Sequence, residues 1–332
     1  MTGILVSQPF MDRYAGELQA KATAAGLALE PLILSNEIGA KLDEALLPRI
    51  ELAFNSSDLY RGNARGFYEA AVKATNLRWL HLFGVGIDPA NHGPLLARGV
   101  RITNSVGVNA EPIAQTAITG LLMLSRGFPG WMESQRDSAW RPVNYDSPKV
   151  PQDLSAETMV LIGVGAIGSR IAQLAQALGL RVIGVRRSAQ RGDEPVDEMV
   201  MPADLDRVLP QANWLVLAPV LTPETRGMID ARRIALLPRG ARVINVSRGL
   251  VIDEAAMIEA LHSGHLGGAY LDVFSKEPLP PESPLWLMPN VILTPHNSAV
   301  SSGKYQREAD LFFENLTRWG NGQPLVNEVS RD

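Results

Sequence analysis

Short apolar runs alternate with stretches of helical spacing along most of the chain. A short apolar run followed by a helix is typical of a buried parallel strand, so the pattern predicts an α/β fold. The runs form two groups, which predict two doubly wound parallel sheets with helices on both faces. The predicted strands are residues 4–7, 27–29, 52–54, 80–83 and 101–103 in the first sheet, and residues 159–162, 182–185, 214–218, 243–246, 269–273 and 291–294 in the second.

Two helices and one irregular stretch complete the predicted organisation. Residues 111–126 are amphipathic with Pro112 in the first turn, where a missing N–H costs little, and we expect this helix to connect the two domains. Residues 127–151 are rich in Trp, Pro and charge, which predicts an extended arm or a surface loop. Residues 302–319 have a helical pattern and are expected to return to the first domain.

The predicted strand at residues 159–162 leads directly into a glycine motif, Gly163-x-Gly165-x-x-Gly168. The first glycine allows a tight turn, the second lets backbone approach a pyrophosphate, and the third lets the following helix pack close to the strand. Glycines also occur at ordinary strand-helix turns, but residues 169–178 have the helical spacing that the motif requires. We therefore predict that a dinucleotide binds at this turn. The residues predicted to contact it on this turn are Gly163, Gly165, Ala166, Ile167 and Gly168.

The next predicted strand ends in Arg186-Arg187-Ser188. In many dinucleotide-binding units an acid about 20 residues after the glycines accepts hydrogen bonds from the ribose. Two guanidiniums and a hydroxyl are suited to bind a 2′-phosphate instead, because the planar guanidinium group donates charge-assisted hydrogen bonds to phosphate oxygens. The alternative is that one or both arginines are solvated surface charge. The sequence thus predicts that NADP(H) is the preferred cofactor and that NAD(H) is possible.

Composition narrows the classes of function. With 332 residues the chain is long enough for two domains, and its net charge of -4 and scattered arginines predict no nucleic-acid partner. No apolar run approaches the roughly 18 residues of a membrane span, and no charged leader precedes the first strand, so we expect no membrane partner and a cytoplasmic location. The chain has no cysteine, and His262 and His265 lack a third ligand nearby, so no metal is expected.

Three charged side chains follow predicted strand ends in the second half of the chain: Arg248, Glu277 and His296. The carboxyl ends of parallel strands are where α/β proteins bind ligands, so we expect the three to share one crevice. An arginine can hold a substrate carboxylate, a histidine can move a proton, and a carboxylate beside it fixes its tautomer and favours its charged form. Each has an ordinary alternative as a surface or loop residue, and only their joint placement points to a site.

Taken together, the motifs resemble those of the D-isomer-specific 2-hydroxyacid dehydrogenase family over nearly the whole chain. Arg186 and Arg187 stand where many members have the ribose-binding acid, as in its NADP-preferring glyoxylate/hydroxypyruvate reductase-like branch. The segments that stand in the family's order and spacing are Gly84-Val-Gly-Ile-Asp88, Thr103-Asn-Ser-Val-Gly107, Glu111-Pro-Ile-Ala114, Gly163 to Gly168, Asn245-Val-Ser-Arg-Gly249, Leu271-Asp-Val-Phe274, Glu277-Pro278 and Thr294-Pro-His-Asn297.

The resemblance implies a domain arrangement and a set of roles. A Rossmann cofactor domain, residues 104–296, would be inserted in a flavodoxin-like substrate domain, residues 1–103 and 297–332, in a homodimer. Arg248 would bind substrate, Glu277 would pair with His296, and His296 would be the acid/base. Backbone N–H groups of Val85 and Gly86 would hold the substrate carboxylate. Further residues expected to line the cofactor are Thr116, Pro219, Thr222, Val246, Ser247 and Asp272.

The expected reaction is reduction of a small 2-keto acid to a D-2-hydroxy acid with hydride from NADPH, and formate is disfavoured because Glu277 stands where related formate dehydrogenases have glutamine. The alternatives are a dinucleotide-sensing protein like the C-terminal-binding-protein corepressors, or a phosphoglycerate-type dehydrogenase working in the biosynthetic direction. The predicted substrate pocket includes Phe54 and Trp286, with Ser56, Leu82 and Phe83, and Trp140 is expected to enter from a partner subunit. Such residues are also typical of a core, so this part of the prediction depends on tertiary structure.

Overall fold

A computed structural model describes residues 1–143, 150–188, 192 and 194–329 of the chain, in two compact units. The first unit takes the chain up to Val108 and again from Ser301, and the second takes Asn109–Val300. The divisions fall a few residues after the predicted ones, which follow residues 103 and 296. No helix in the described part of the chain is both long and apolar enough to cross a bilayer.

The first unit contains a parallel sheet in the order β2-β1-β3-β4-β5, which is the flavodoxin-like order. Its helices before residue 108 are α1 (Gln8–Ala24), α2 (Ala64–Lys73) and α3 (Pro89–Ala97). The strands are β1 (Thr2–Ser7), β2 (Leu29–Leu34), β3 (Ile50–Asn55), β4 (Trp79–Leu82) and β5 (Arg101–Thr103).

The prediction for the second strand was wrong by several residues. Leu27 belongs to the turn that follows α1, because its N–H bonds the carbonyl of Ala22. The strand instead continues through Pro31, which cannot donate to a neighbour. Pro31 is tolerated because β2 is the edge strand of the sheet.

The second unit contains a parallel sheet in the order β12-β11-β10-β9-β6-β7-β8. The strand order reverses at the pair β6 and β9, as in a Rossmann domain, so this is the edge where a dinucleotide is expected. The strands are β6 (Thr158–Ile162), β7 (Arg181–Val185), β8 (Glu198–Val200), β9 (Trp214–Leu217), β10 (Ala241–Asn245), β11 (Leu266–Leu271) and β12 (Val291–Leu293). The helices are α4 (Ala110–Arg126), α5 (Phe128–Arg136), α6 (Ala166–Ala177), α7 (Leu205–Val208), α8 (Ala231–Leu236) and α9 (Glu254–His262).

Two elements of the second unit were not predicted. Strand β8 has only three residues, too few for a periodic pattern. Helix α5 occupies the start of the stretch interpreted as an arm or loop, and it begins directly after Gly127, whose positive φ ends α4. Residues 144–149 of that stretch lie outside the described residues. Trp140 is described and is almost fully exposed.

Helix α10 (Lys304–Gly320) lies close to the predicted bounds and in the first unit as expected. Its Phe312 stacks on Phe54 with ring centroids 4.4 Å apart, and on Trp79. Phe54 is therefore only 1% exposed. The ring is thus part of the aromatic core, and its contact with substrate stays a prediction; Ser56 and Leu82 are buried as well.

His81 in β4 lies in a buried group of hydrogen bonds. The Thr103 hydroxyl accepts from Trp79 Nε1 (2.9 Å) and also lies 2.7 Å from His81 Nδ1. His81 Nε2 faces the Ser105 hydroxyl, which donates to the carbonyl of Leu82. Burial lowers the pKa of His81 to about 3, so the imidazole is neutral at neutral pH.

We predict that His81 makes the first unit sensitive to mild acid. The histidine is neutral when folded but binds a proton near pH 6.5 when unfolded, so its contribution to stability is complete above pH 6.5 and is lost as the pH falls towards 3. The free energy of unfolding should fall by about 1.4 kcal/mol per pH unit in this window. In urea titrations at several pH values, His81→Gln should flatten this slope, and the exposed His262→Gln should not; equal slopes in all three proteins would contradict the prediction.

Candidate active site

The glycine motif forms the turn between β6 and α6, and each glycine has its own steric reason. Gly163 has a φ of +92°, and a Cβ there would lie 2.6 Å from the nitrogen of Pro219. A Cβ on Gly168 would lie 1.9 Å from the carbonyl oxygen of Gly163, so only glycine allows α6 to start this close to β6. A Cβ on Gly165 would meet nothing within 4 Å. The turn therefore faces open space at the start of α6, where helix N–H groups favour an anion.

A pocket of about 640 Å³ extends from this turn along the carboxyl ends of β6, β7 and β9. Its size is that of a small-molecule site. Seven of the predicted cofactor residues line it, namely Gly163, Gly165, Arg186, Arg187, Ser188, Pro219 and Thr222. The shape, the free space beside Gly165 and the two guanidiniums fit the adenosine half and the phosphates of a dinucleotide.

The two arginines of this pocket differ in their surroundings. Arg186 is largely buried and forms an ion pair with Glu194, a carboxylate that the sequence analysis did not single out. Arg187 is 69% exposed, and its Nη1 lies 3.9 Å from Glu224 Oε2. A hydrogen bond from the Thr222 hydroxyl, with a smaller contribution from Arg187, lowers the pKa of Glu224 below its ordinary value. Each predicted phosphate-binding cation thus has an acidic neighbour.

His296 and Glu277 form a hydrogen-bonded pair. His296 Nδ1 lies 2.7 Å from Glu277 Oε2, and the other carboxylate oxygen accepts the backbone N–H of Phe274 at 3.0 Å. Because Nδ1 is used in this bond, Nε2 is the nitrogen available to a substrate. His296 has a φ of +54°, a left-handed conformation that is uncommon for a residue with a side chain and is concentrated at functional sites.

The buried carboxylate of Asp272 holds the loop that carries His296. It accepts the Thr294 hydroxyl at 2.7 Å and the N–H of Asn297 at 2.9 Å, together with the N–H and hydroxyl of Ser298. The carbonyl of Asp272 also accepts the N–H of His296 at 2.9 Å. Asp272 is 1% exposed, and these bonds position the loop with the histidine; its contact with the cofactor stays a prediction.

Arg248 lies close enough to act electrostatically on this pair. Partial burial raises the pKa of Glu277, but hydrogen bonds from His296 and Phe274 and the positive charges of His296 and Arg248 outweigh it, so the pKa lies below its ordinary value. The loops meet at Gly249, where a Cβ would lie 1.9 Å from the carbonyl carbon of Phe274. Glycine at this position lets the β10 loop, with exposed Arg248, approach the β11 loop, with Glu277.

The remaining predicted residues differ in exposure, and only some of them line a pocket. Val85 and Gly86 are exposed in the loop after β4 of the first unit. Trp286 is half-exposed and lines a second pocket with Glu277 and His296. The other seven predicted cofactor residues do not line the larger pocket. Besides Gly168 and Asp272, described above, Val246 and Ser247 are buried at the end of β10, Thr116 bonds the carbonyl of Pro112 within α4, and Ile167 is half-buried in α6. Ala166 is exposed at the first position of α6.

No group of three or more potential metal-ligating His, Asp or Glu side chains is present among the residues that the structure describes. Arg248, Glu277 and His296 supply a cation, a carboxylate and an imidazole at this site.

Comparison with known proteins places these features in a family. The family model of the D-isomer specific 2-hydroxyacid dehydrogenase NAD binding domain matches residues 118–298. A glyoxylate reductase of Korarchaeum cryptofilum is 31% identical over 80% of this chain and 79% of its own length. A D-3-phosphoglycerate dehydrogenase of Bacillus subtilis is 30% identical over 91% of this chain, which spans 56% of that protein.

Solved structures of similar fold belong to the same family. A D-isomer specific 2-hydroxyacid dehydrogenase of Xanthobacter autotrophicus Py2, in complex with NADPH and MES, is 30% identical with a TM-score of 0.73, over 99% of this chain and 98% of that chain. An NADPH-dependent glyoxylate/hydroxypyruvate reductase of Sinorhizobium meliloti, in complex with NADP and sulfate, is 27% identical with a TM-score of 0.68, over 99% and 98%. The chain therefore belongs to the D-isomer-specific 2-hydroxyacid dehydrogenases, a family of oxidoreductases.

Proposed function

We propose that this protein reduces a 2-keto acid to a D-2-hydroxy acid, with His296 as the proton donor and NADPH as the preferred source of hydride. The observation that carries the proposal is the hydrogen bond between His296 Nδ1 and Glu277, formed beside Arg248 at the carboxyl ends of neighbouring parallel strands. This edge of an α/β sheet is where ligands bind. An imidazole held by a carboxylate, next to a guanidinium, is suited to proton transfer at an oxygen that gains negative charge.

The residues of this chain supply the proton and the charge compensation. NADPH, held by the residues around the glycine turn and by Arg187, would supply the hydride for C2 of the keto acid. His296 Nε2 gives its proton to the carbonyl oxygen, which becomes the hydroxyl of the product, and the neutral imidazole recovers a proton from solvent. Glu277 keeps Nδ1 protonated throughout, and its lowered pKa keeps the carboxylate ionised across neutral pH.

Arg248 contributes in two ways. Its guanidinium binds the substrate carboxylate, and it opposes the negative charge that grows on the carbonyl oxygen as hydride arrives. The second effect is larger in the transition state than in the ground state, so it accelerates the reaction rather than only tightening binding. That the backbone N–H groups of Val85 and Gly86 make the other hydrogen bonds to the substrate carboxylate stays a prediction.

For the cofactor, we assign the 2′-phosphate chiefly to Arg187. Arg187 is exposed in the pocket beside the glycine turn, whereas Arg186 is tied to Glu194 in the wall. The acidic neighbours reduce the net positive charge that the phosphate meets, so the preference for NADP(H) over NAD(H) should be moderate. The homodimer, the cytoplasmic location and reduction as the physiological direction also stay predictions.

A phosphoglycerate-type dehydrogenase is the second candidate, because some relatives carry that name. It requires a further cation, besides the Arg248 that binds the carboxylate, for the substrate phosphate near the pair of His296 and Glu277. The second pocket beside this pair is lined mainly by apolar side chains, which favours the 2-keto acid reductase.

We predict that Glu277→Gln shifts the pH dependence of reduction. Without the carboxylate the protonated imidazole loses its charged hydrogen-bond partner, so kcat/KM should begin to fall at a lower pH than in the parent protein. The measurement is a pH profile of keto acid reduction, with the exposed Glu282→Gln as the control. An unchanged profile in Glu277→Gln would show that Glu277 does not support the proton donor.

We predict that Arg187→Asp weakens the binding of NADP⁺ by about 10- to 100-fold, because a charge-assisted hydrogen bond is replaced by repulsion. Binding of NAD⁺ should change little or become tighter, since the new carboxylate can accept from the ribose. Calorimetric titration of both nucleotides measures the effect directly, and Arg207→Asp, a surface arginine of the same unit, is the control. Equal changes for the two nucleotides in Arg187→Asp would exclude a contact with the 2′-phosphate.

A further inference from the structure

We propose that the physiological substrates carry a branched or aromatic apolar side chain, and that the pocket beside His296 binds this side chain. The inference rests on the proposed function and names the substrate class of the same site. It makes glyoxylate and hydroxypyruvate poor substrates, although relatives of this chain carry those names.

The pocket has a volume of about 550 Å³ and lies entirely within the second unit. Glu277 and His296 form one part of its wall, so the pocket begins at the groups that carry out the proton transfer. Glyoxylate has no side chain and would leave such a space empty. The apolar part of the wall includes Phe274, Pro278, Leu279, Trp286, Leu293 and Pro295.

The side-chain donors in the wall have partners, apart from His296 Nε2, which is assigned to the reacting oxygen of the substrate. The Thr294 hydroxyl donates to Asp272 and also contacts the Tyr270 hydroxyl at 2.7 Å. Both oxygens of Glu277 accept hydrogen bonds, from Phe274 N–H and His296. A hydroxyl or phosphate on the substrate side chain would therefore lose its water without gaining a side-chain donor here, and a phosphate would also be repelled by Glu277.

Trp286 presents an apolar ring to this pocket. Its Nε1 donates to the carbonyl of Pro280 at 2.9 Å, which satisfies the polar edge of the indole and fixes its position. The ring nevertheless stays 52% exposed. A large aromatic surface whose single donor is used, and which remains open to solvent next to a reacting group, is suited to contact with an apolar ligand.

The expected selectivity follows from the area that the substrate buries. Each CH₂ group transferred from water to an apolar site improves binding about fourfold. A four-carbon side chain should therefore raise kcat/KM at least about 100-fold over glyoxylate. Removing the indole should take away a large part of this gain.

The test compares kcat/KM with NADPH for glyoxylate, hydroxypyruvate, 2-oxobutanoate, 4-methyl-2-oxopentanoate and phenylpyruvate. We expect the last two to be reduced with the highest kcat/KM. In Trp286→Ala the ratio of kcat/KM for 4-methyl-2-oxopentanoate to that for glyoxylate should fall at least tenfold, mainly through KM. Trp286→Phe should restore most of the ratio. The matched control is Leu287→Ala, a neighbouring side chain that is 90% exposed and does not line this pocket.

The outcomes separate the two proposals. If none of the keto acids is reduced, the proposed function is wrong and the substrate class is wrong with it. If glyoxylate or hydroxypyruvate gives the highest kcat/KM, and Trp286→Ala leaves the ratio unchanged, the reductase function stands and the apolar substrate class is overturned.

Discussion

The buried carboxylate of Asp272 is the interaction on which the candidate site depends. A carboxylate removed from water is costly unless its oxygens are satisfied, and here backbone and hydroxyl donors from the loop after β12 satisfy both. These bonds oblige the loop to turn back over the end of β11, which brings His296 into its left-handed conformation. The strain at His296 is thus held in place by hydrogen bonds a few residues on either side of it.

The parallel sheet explains why residues far apart in sequence act together. Strands β10, β11 and β12 are neighbours, and all of them end at the same edge. The loops that follow them therefore start side by side, and the close approach at Gly249 removes the remaining space between two of them. The order of the strands and the absence of a side chain at Gly249 are therefore enough to bring together the segments with Arg248, Glu277 and His296.

Much of this arrangement was predictable because it is encoded locally. The roles of Gly163 and Gly168 follow from turn geometry, and the strand ends carrying Arg248, Glu277 and His296 follow from apolar runs. The remaining features depend on tertiary contacts, which the sequence does not show. The sequence cannot show that Phe54 packs on Phe312 from the far end of the chain, or that Glu194 pairs with Arg186. Nor does it show that the carboxylate of Asp272 points into the loop after β12, since a strand-end acid can face either a ligand or its own backbone.

The ion pair between Arg186 and Glu194 has a consequence for how a nucleotide would bind. A guanidinium that faces only water needs to lose only its hydration when a phosphate arrives. Arg186 instead has Glu194 as its partner, so a phosphate that contacted Arg186 would have to compete with this carboxylate. That competition would weaken the contact, and the exposed Arg187 would then carry most of the discrimination between a phosphate and a hydroxyl.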